Sequence, residues 1–232
     1  MNQRFAGKVA IVAGGTGGLG RAVSLAFLEE GARVVVTYRE QSEWDALKAV
    51  GGPNLAGRFI DVTNEAEVLP FVSSLEQVDV LVNAVGGYAG GIKMWETDPQ
   101  VLDRLLALNL RSGWTLLRAI VPIMLKQGSG AIVNVASQAA VDHAAGAAAY
   151  AATKAAAVAM IDSLAQDLKG TGMRANSILP NIIDTEANRK AMPGADFAKW
   201  PKPEDIARVI LFLCSEDARL IHGAAVPVYG NG

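Results

Sequence analysis

Tyr150 and Lys154 stand four residues apart in the run Tyr150-Ala151-Ala152-Thr153-Lys154. In a helix that spacing puts both side chains on one face, one turn apart. A phenol ordinarily keeps its proton up to a pH of about 10 and is a poor base at neutral pH. A neighbouring ammonium favours the phenolate and brings the phenol toward the working range of an acid-base group. Upstream, Ala131-Ile132-Val133-Asn134-Val135-Ala136-Ser137 reads as a strand ending in a hydroxyl. Ser137 is then placed to hydrogen-bond a substrate oxygen. A Y-x-x-x-K pair alone is also an ordinary helix-surface pair, so its meaning depends on what else the chain carries.

A second chemical feature lies near the start. Val9-Ala10-Ile11-Val12-Ala13 reads as a buried strand and runs straight into Gly14-Gly15-Thr16-Gly17-Gly18-Leu19-Gly20, which opens a helix. Such a loop turns sharply and lets backbone N–H groups approach a pyrophosphate, while the helix presents the positive end of its dipole. Two registers fit: Gly15, Gly17 and Gly20 match G-x-G-x-x-G, and Gly14, Gly18 and Gly20 match G-x-x-x-G-x-G. Glycines alone fit a flexible turn equally well; the position between first strand and first helix points to a dinucleotide. At the tip of the second strand stand Thr37-Tyr38-Arg39-Glu40. No carboxylate occupies the place that often grips a free ribose diol. The planar fork of Arg39 suits a 2′-phosphate, with Glu40 beside it as a neutralising neighbour. This reading favours NADP(H) and leaves NAD(H) open.

These residues need a scaffold. Val9–Ala13, Arg33–Thr37, Arg58–Ile60, Val78–Val82, Ala131–Val135, Ala175–Leu179 and Ala225–Val228 read as strands, apolar enough to be covered on both faces. Between them, Leu19–Glu30, Ser42–Ala49, Glu65–Leu75, Gln100–Lys126, Ala147–Lys169 and Pro203–Leu213 read as helices. Gly31 stops the first, and Thr63 with Glu65 and Glu67 starts the third. The alternation predicts right-handed βαβ crossovers and an α/β, doubly wound, Rossmann-type parallel sheet with helices on both faces. No linker, repeat or charge block divides residues 1–232, which read as one dinucleotide-binding and catalytic domain.

Composition narrows the partners. The net charge is −2 with both signs interspersed, so no basic stripe suggests a nucleic acid. No uncharged apolar run reaches the roughly 20 residues of a membrane span, and the N-terminal residues lack a signal-peptide core. The single cysteine, Cys214, lies among aliphatic residues and reads as a core side chain. A chain without an internal disulfide suits a reduced, cytoplasmic setting. No Cys/His cluster suggests a metal.

At these residues the chain resembles the short-chain dehydrogenase/reductase family, in the compact single-domain form of its 3-oxoacyl-carrier-protein reductase-like members. The resemblance covers essentially all 232 residues. The family's T-G-x-x-x-G-x-G motif is similar to Ala13 through Gly20, with Ala13 in place of Thr. Its Asp-Val pair, associated with the adenine ring, matches Asp61-Val62. Asn83-Ala84-Val85-Gly86 stands where the family has Asn-Asn-Ala-Gly, and Asn109 stands at its middle-helix Asn. Pro180-Asn181 replaces Pro-Gly, followed by Ile183 and Thr185 at nicotinamide-contacting positions. The resemblance implies an NAD(P)-dependent oxidoreductase with Asn109, Ser137, Tyr150 and Lys154 as its catalytic set. Cofactor contacts are expected from Gly14, Thr16, Gly17, Gly18, Leu19, Gly20, Tyr38, Arg39, Asp61, Val62, Asn83 to Gly86, Tyr150, Lys154, Pro180, Ile183 and Thr185.

The implied reaction is hydride transfer between nicotinamide and a carbonyl or alcohol carbon. Tyr150 would protonate the developing alkoxide, with Lys154 lowering the phenol and holding ribose hydroxyls. Ser137 would polarise the carbonyl, and Asn109 would hold a water linking Lys154 to solvent. Tyr88, Gln138 and His143 lie where a small-molecule carbonyl or alcohol is expected; each also fits an ordinary loop residue. His222 reads as structural. Glu186 to Trp200 sits where the family carries a substrate lid. The two long helices resemble those the family pairs into a four-helix interface, which implies a homotetramer. Two other classes fit the same fold. A non-catalytic dinucleotide sensor would lack the four catalytic residues. A sugar-nucleotide epimerase or dehydratase would need a C-terminal substrate domain, for which the residues after Val228 leave no room.

Overall fold

The computed structural model describes residues 3–230. Seven strands form one parallel sheet in the order β3-β2-β1-β4-β5-β6-β7. They are β1 (Val9–Ala13), β2 (Arg33–Tyr38), β3 (Leu55–Phe59), β4 (Val80–Asn83), β5 (Gly130–Val135), β6 (Met173–Pro180) and β7 (Ala225–Val228). Among the described residues eight α-helices flank it: α1 (Gly18–Glu29), α2 (Gln41–Gly51), α3 (Glu65–Ser73), α4 (Pro99–Leu106), α5 (Ser112–Gln127), α6 (Ala148–Asp167), α7 (Glu186–Ala191) and α8 (Pro203–Cys214). The expected doubly wound α/β fold is what the chain adopts.

Alternate strand residues point to opposite faces, so the sheet feeds two cores. On one face Ala10, Val12, Val34, Val36, Val82 and Val133 pack with Val23 and Phe27 of α1 and Ile206 and Ile210 of α8. On the other, Ile11, Val35, Leu81 and Ile132 pack with Val68 and Phe71 of α3, Leu116 and Ile120 of α5, and Ile161 of α6. Burial on both faces is why the central strands are continuously apolar.

Three expectations need correction. The strand expected at Arg58–Ile60 begins earlier, at Leu55. It is an edge strand paired only with β2, and its half-exposed residues carry little apolar signal. The third helix is capped by Asn64, not Thr63: the Asn64 side chain accepts from Ala66 N at 3.1 Å. The single helix expected over Gln100–Lys126 is α4 and α5 joined by a π-helical segment, Ala107–Arg111. Other helix and strand ends coincide or shift by one or two residues. The segment α7 lies where only a lid was expected.

The strand order reverses direction between β1 and β4. Connections leave β1 toward one side of the sheet and β4 toward the other, opening a crevice beyond the carboxyl ends of the strands.

Candidate active site

The glycine loop forms the first wall of that crevice. Gly14 has φ +70°, a left-handed conformation that favours glycine. At Gly20 a Cβ would collide with the Gly14 carbonyl, so the first turn of α1 packs directly on the loop backbone. Gly17 is the N-cap of α1 and offers no side-chain cap. The helix N-terminus therefore keeps free N–H groups for an anion.

A cavity of about 240 Å³ lies beside the loop. Gly14, Thr16, Gly17, Tyr38, Arg39, Asp61, Val62, Ala84, Val85 and Gly86 line it, all expected from the sequence. Glu40, Glu43, Thr63 and Leu108 join them. The cavity brings together residues from four loops, and its glycine cradle and donors fit a dinucleotide. A larger groove of about 630 Å³ between α5 and α6 contains none of the expected site residues.

Arg39 does not stand free in the cavity. Its guanidinium pairs with Asp61, so Asp61 rather than Glu40 is its neutralising partner. Burial pushes the Asp61 carboxyl up, but hydrogen bonds from Thr63 and the Arg39 charge outweigh it and hold the carboxyl below its ordinary value. Tyr38 stacks on Trp44 at 5.2 Å and meets Phe59 edge-on at 5.6 Å. Asn83 works as a latch: it donates to Asn134 Oδ1 at 3.0 Å and accepts from Val85 N at 3.3 Å. The Leu19 side chain is buried in the core, which leaves only its backbone for a ligand. Thr185 caps α7 by accepting from Asn188 N at 3.2 Å. It also touches the glycine loop, since a Cβ on Gly18 would lie 2.7 Å from its Cγ2. Pro180 ends β6, and the Ile183 carbonyl accepts from Asn188 Nδ2 at 2.8 Å.

The second wall carries the titratable groups. Lys154 is buried, and its amine donates to the Val135 carbonyl at 3.0 Å. Burial pushes the ammonium down to about 8. Its Nζ lies 5.9 Å from the centre of the Tyr150 ring. Burial raises the Tyr150 phenol above its ordinary value; the Ser137 hydroxyl pulls it down, and Tyr88 adds to the rise. The expected lowering by Lys154 does not appear: desolvation dominates, and only the Ser137 hydroxyl pulls the phenol down. Ser137 Oγ accepts from Ala139 N at 3.2 Å, which leaves its own O–H to donate.

Asn109 sits in the π-helical segment and is buried. Its Oδ1 accepts from Gly87 N at 2.8 Å, and its Nδ2 donates to Gly87 O at 3.1 Å and Thr153 Oγ1 at 3.0 Å. Thr153 in turn donates to the Tyr150 carbonyl at 2.9 Å. Asn109 therefore ties the loop after β4 to the helix that carries Tyr150 and Lys154. A Cβ on Gly86 would lie 3.1 Å from both Asn109 Oδ1 and Lys154 Nζ, so a side chain there would push these two groups by a few tenths of an ångström.

The comparisons with known proteins bear on this arrangement. The family model for short chain dehydrogenase matches residues 8–196. The chain belongs to the short-chain dehydrogenase/reductase family. It is an NAD(P)-dependent oxidoreductase. It is 31% identical to the 3-oxoacyl-[acyl-carrier-protein] reductase FabG of Thermotoga maritima, over 99% of each chain. It is 33% identical to the 7alpha-hydroxysteroid dehydrogenase of Escherichia coli K12, over 100% of this chain and 96% of the relative. The solved structure "ElxO with NADP Bound" superposes with a TM-score of 0.89 at 25% identity, covering 96% of this chain and 97% of the other.

Within this short-chain dehydrogenase/reductase the three substrate candidates part company. Tyr88 meets Tyr150 edge-on at 5.0 Å. Gln138 bonds to Asp142 at 3.3 Å and His143 to the Ala140 carbonyl at 3.4 Å, both within their own loop. Thr153, Gly87, the Val135 carbonyl and Glu43 were missed by sequence reasoning. Thr153 alone had a local signal, its helical spacing from Tyr150. Among the described residues no helix is long and apolar enough to cross a membrane, and no group of three metal-ligating side chains forms.

Proposed function

We propose that this enzyme interconverts a carbonyl and an alcohol with NADP(H) as the favoured cofactor, Tyr150 being the acid and base. The observation that carries this reading is the junction of the helix bearing Tyr150 and Lys154 with the loop after β4 through Asn109 and Thr153, with the Ser137 hydroxyl against the Tyr150 phenol. When bound, the nicotinamide cofactor supplies or takes up the hydride. The glycine loop, Asp61, Val62 and Ala84 to Gly86 would hold its adenosine and phosphates. Lys154, Ile183 and Thr185 would hold the nicotinamide half.

In reduction, Ser137 donates to the carbonyl oxygen and the Tyr150 phenol passes its proton to that oxygen. A phenol raised by burial keeps its proton at neutral pH, which suits this direction. Lys154 places a positive charge behind the phenol and offers donors to ribose hydroxyls. Asn109 Oδ1 retains a second lone pair for a water that refills the proton.

Exposed Tyr88 and Trp95 on the segment after β4 support an apolar small-molecule substrate. The single, buried Cys214, raised by burial to about 12, forms no disulfide within the chain and supports a cytoplasmic setting. The groove between α5 and α6, with Trp114 exposed over it, supports a homotetramer built on those helices. The test is a panel of carbonyl compounds, beginning with 3-oxoacyl thioesters, offered with NADPH or NADH. Loss of reduced-cofactor absorbance, abolished by Tyr150→Phe, is the expected result. No turnover with any member, despite tight cofactor binding, would favour the sensor reading instead.

A further inference from the structure

We propose that Glu43 is a second determinant of cofactor choice, opposing Arg39 by holding a negative charge at the ribose end of the crevice. The inference rests on the reading that Arg39 faces a 2′-phosphate.

Glu43 lies in the first turn of α2 and lines the same cavity as Arg39. Its carboxylate accepts from Thr16 Oγ1 at 2.8 Å, and Thr16 is buried within the glycine loop. The contact fixes the carboxylate against the loop that is to receive phosphates. Arg39 is the one cation among the described lining residues, against the carboxylates of Glu40, Glu43 and Asp61. Its guanidinium is already engaged by Asp61.

An incoming 2′-phosphate therefore gains from Arg39 only what remains after Asp61 has been satisfied, and it meets Glu43 as a like charge. A free 2′-hydroxyl has no such conflict, since a carboxylate accepts its hydrogen bond. Glu43 thus narrows the preference for NADP(H) that Arg39 creates, and leaves the enzyme able to use both cofactors. Two other roles would look different. A loop staple would act on every nucleotide alike, and a passive surface residue on none.

The experiment is calorimetric titration of the intact enzyme with adenosine 2′,5′-bisphosphate and adenosine 5′-monophosphate, which differ only at the 2′ position. Glu43→Gln removes the charge and keeps an acceptor for Thr16. It should tighten the bisphosphate about threefold to fivefold, the scale of one partly exposed charge pair, and leave the monophosphate nearly unchanged. The gain should shrink as salt is raised, because exposed charges are screened. Glu43→Ala should show the same selective gain. Equal weakening of both probes in Glu43→Gln and Glu43→Ala would assign Glu43 to the loop alone and overturn the proposal. No change in either probe would overturn it as well. Arg39→Ala reports separately: bisphosphate affinity equal to wild type there ends the Arg39 reading, whatever Glu43→Gln does.

Discussion

Tyr150 and Lys154 share a helix face, yet burial moves their protons in opposite directions. Burial works against the charged form of each: the phenol is raised, and the ammonium is pushed down to about 8. Tyr150→Phe should keep cofactor affinity within a factor of about two and lower turnover by roughly 10²–10⁴, the range of a positioned acid. Parallel titration and steady-state assay check this; near-normal turnover removes Tyr150 from the mechanism. Lys154 yields a pH prediction. Its folded value, about 8, lies below the ordinary 10.5, so between those values the unfolded chain binds more protons. Its contribution to stability therefore falls as pH drops from 10.5 to 8 and recovers as pH rises again. Below pH 8 the full penalty is about 3 kcal/mol, because each tenfold loss of proton affinity costs about 1.4 kcal/mol. Lys154→Met should exceed wild type in urea stability by more at pH 7 than at pH 10. A gap that is constant with pH would mean that the amine is not desolvated in the folded state.

At the scale of elements, the π-helical segment between α4 and α5 decides where Asn109 points. A π-turn adds a residue to the helical ladder and turns the side chain inward, here toward Gly87 and Thr153. Asn109→Ala would remove three hydrogen bonds and leave the half-buried Gly87 N–H without its partner, a cost toward the low end of the roughly 1–3 kcal/mol of a stranded buried donor. Both chemical denaturation and turnover should register the loss. Gly86→Ala is the sharper probe. Its methyl would meet Asn109 Oδ1 and Lys154 Nζ, so activity should fall with little change in the unfolding midpoint. Full activity in Gly86→Ala would show that the loop after β4 shifts freely away from Lys154.

At the scale of the molecule, parallel strands and a reversal between β1 and β4 bring the loops after β1, β2, β3 and β4 to one rim. That rim holds the glycine loop, Arg39, Asp61 and Gly86 although they are far apart in the chain. The α5–α6 face lies elsewhere, with Trp114 exposed beside Leu117, Val121 and Met160. Trp114→Lys places a charge in this apolar groove. Light scattering should give a tetramer for wild type and a smaller species for Trp114→Lys. A monomer for wild type at micromolar concentration would refute the assembly.

The order of the elements was legible in the chain because continuous apolar runs, glycine stops and helical periodicity are local signals. Asn109, Ser137, Tyr150 and Lys154 could be singled out as candidates for the same reason, since family motifs are strings of residues. The edge strand from Leu55 was not, because a half-exposed strand with one neighbour needs few apolar side chains. The break at Ala107–Arg111 was not, because a π-turn leaves the apolar spacing almost unchanged. Pairing across the crevice was decided only by the fold: Arg39 with Asp61, Glu43 with Thr16, and Asn109 with Gly87 and Thr153. The raised Tyr150 phenol belongs there too. Spacing shows that an ammonium is near, but desolvation depends on how many side chains close over the ring, and only packing fixes that.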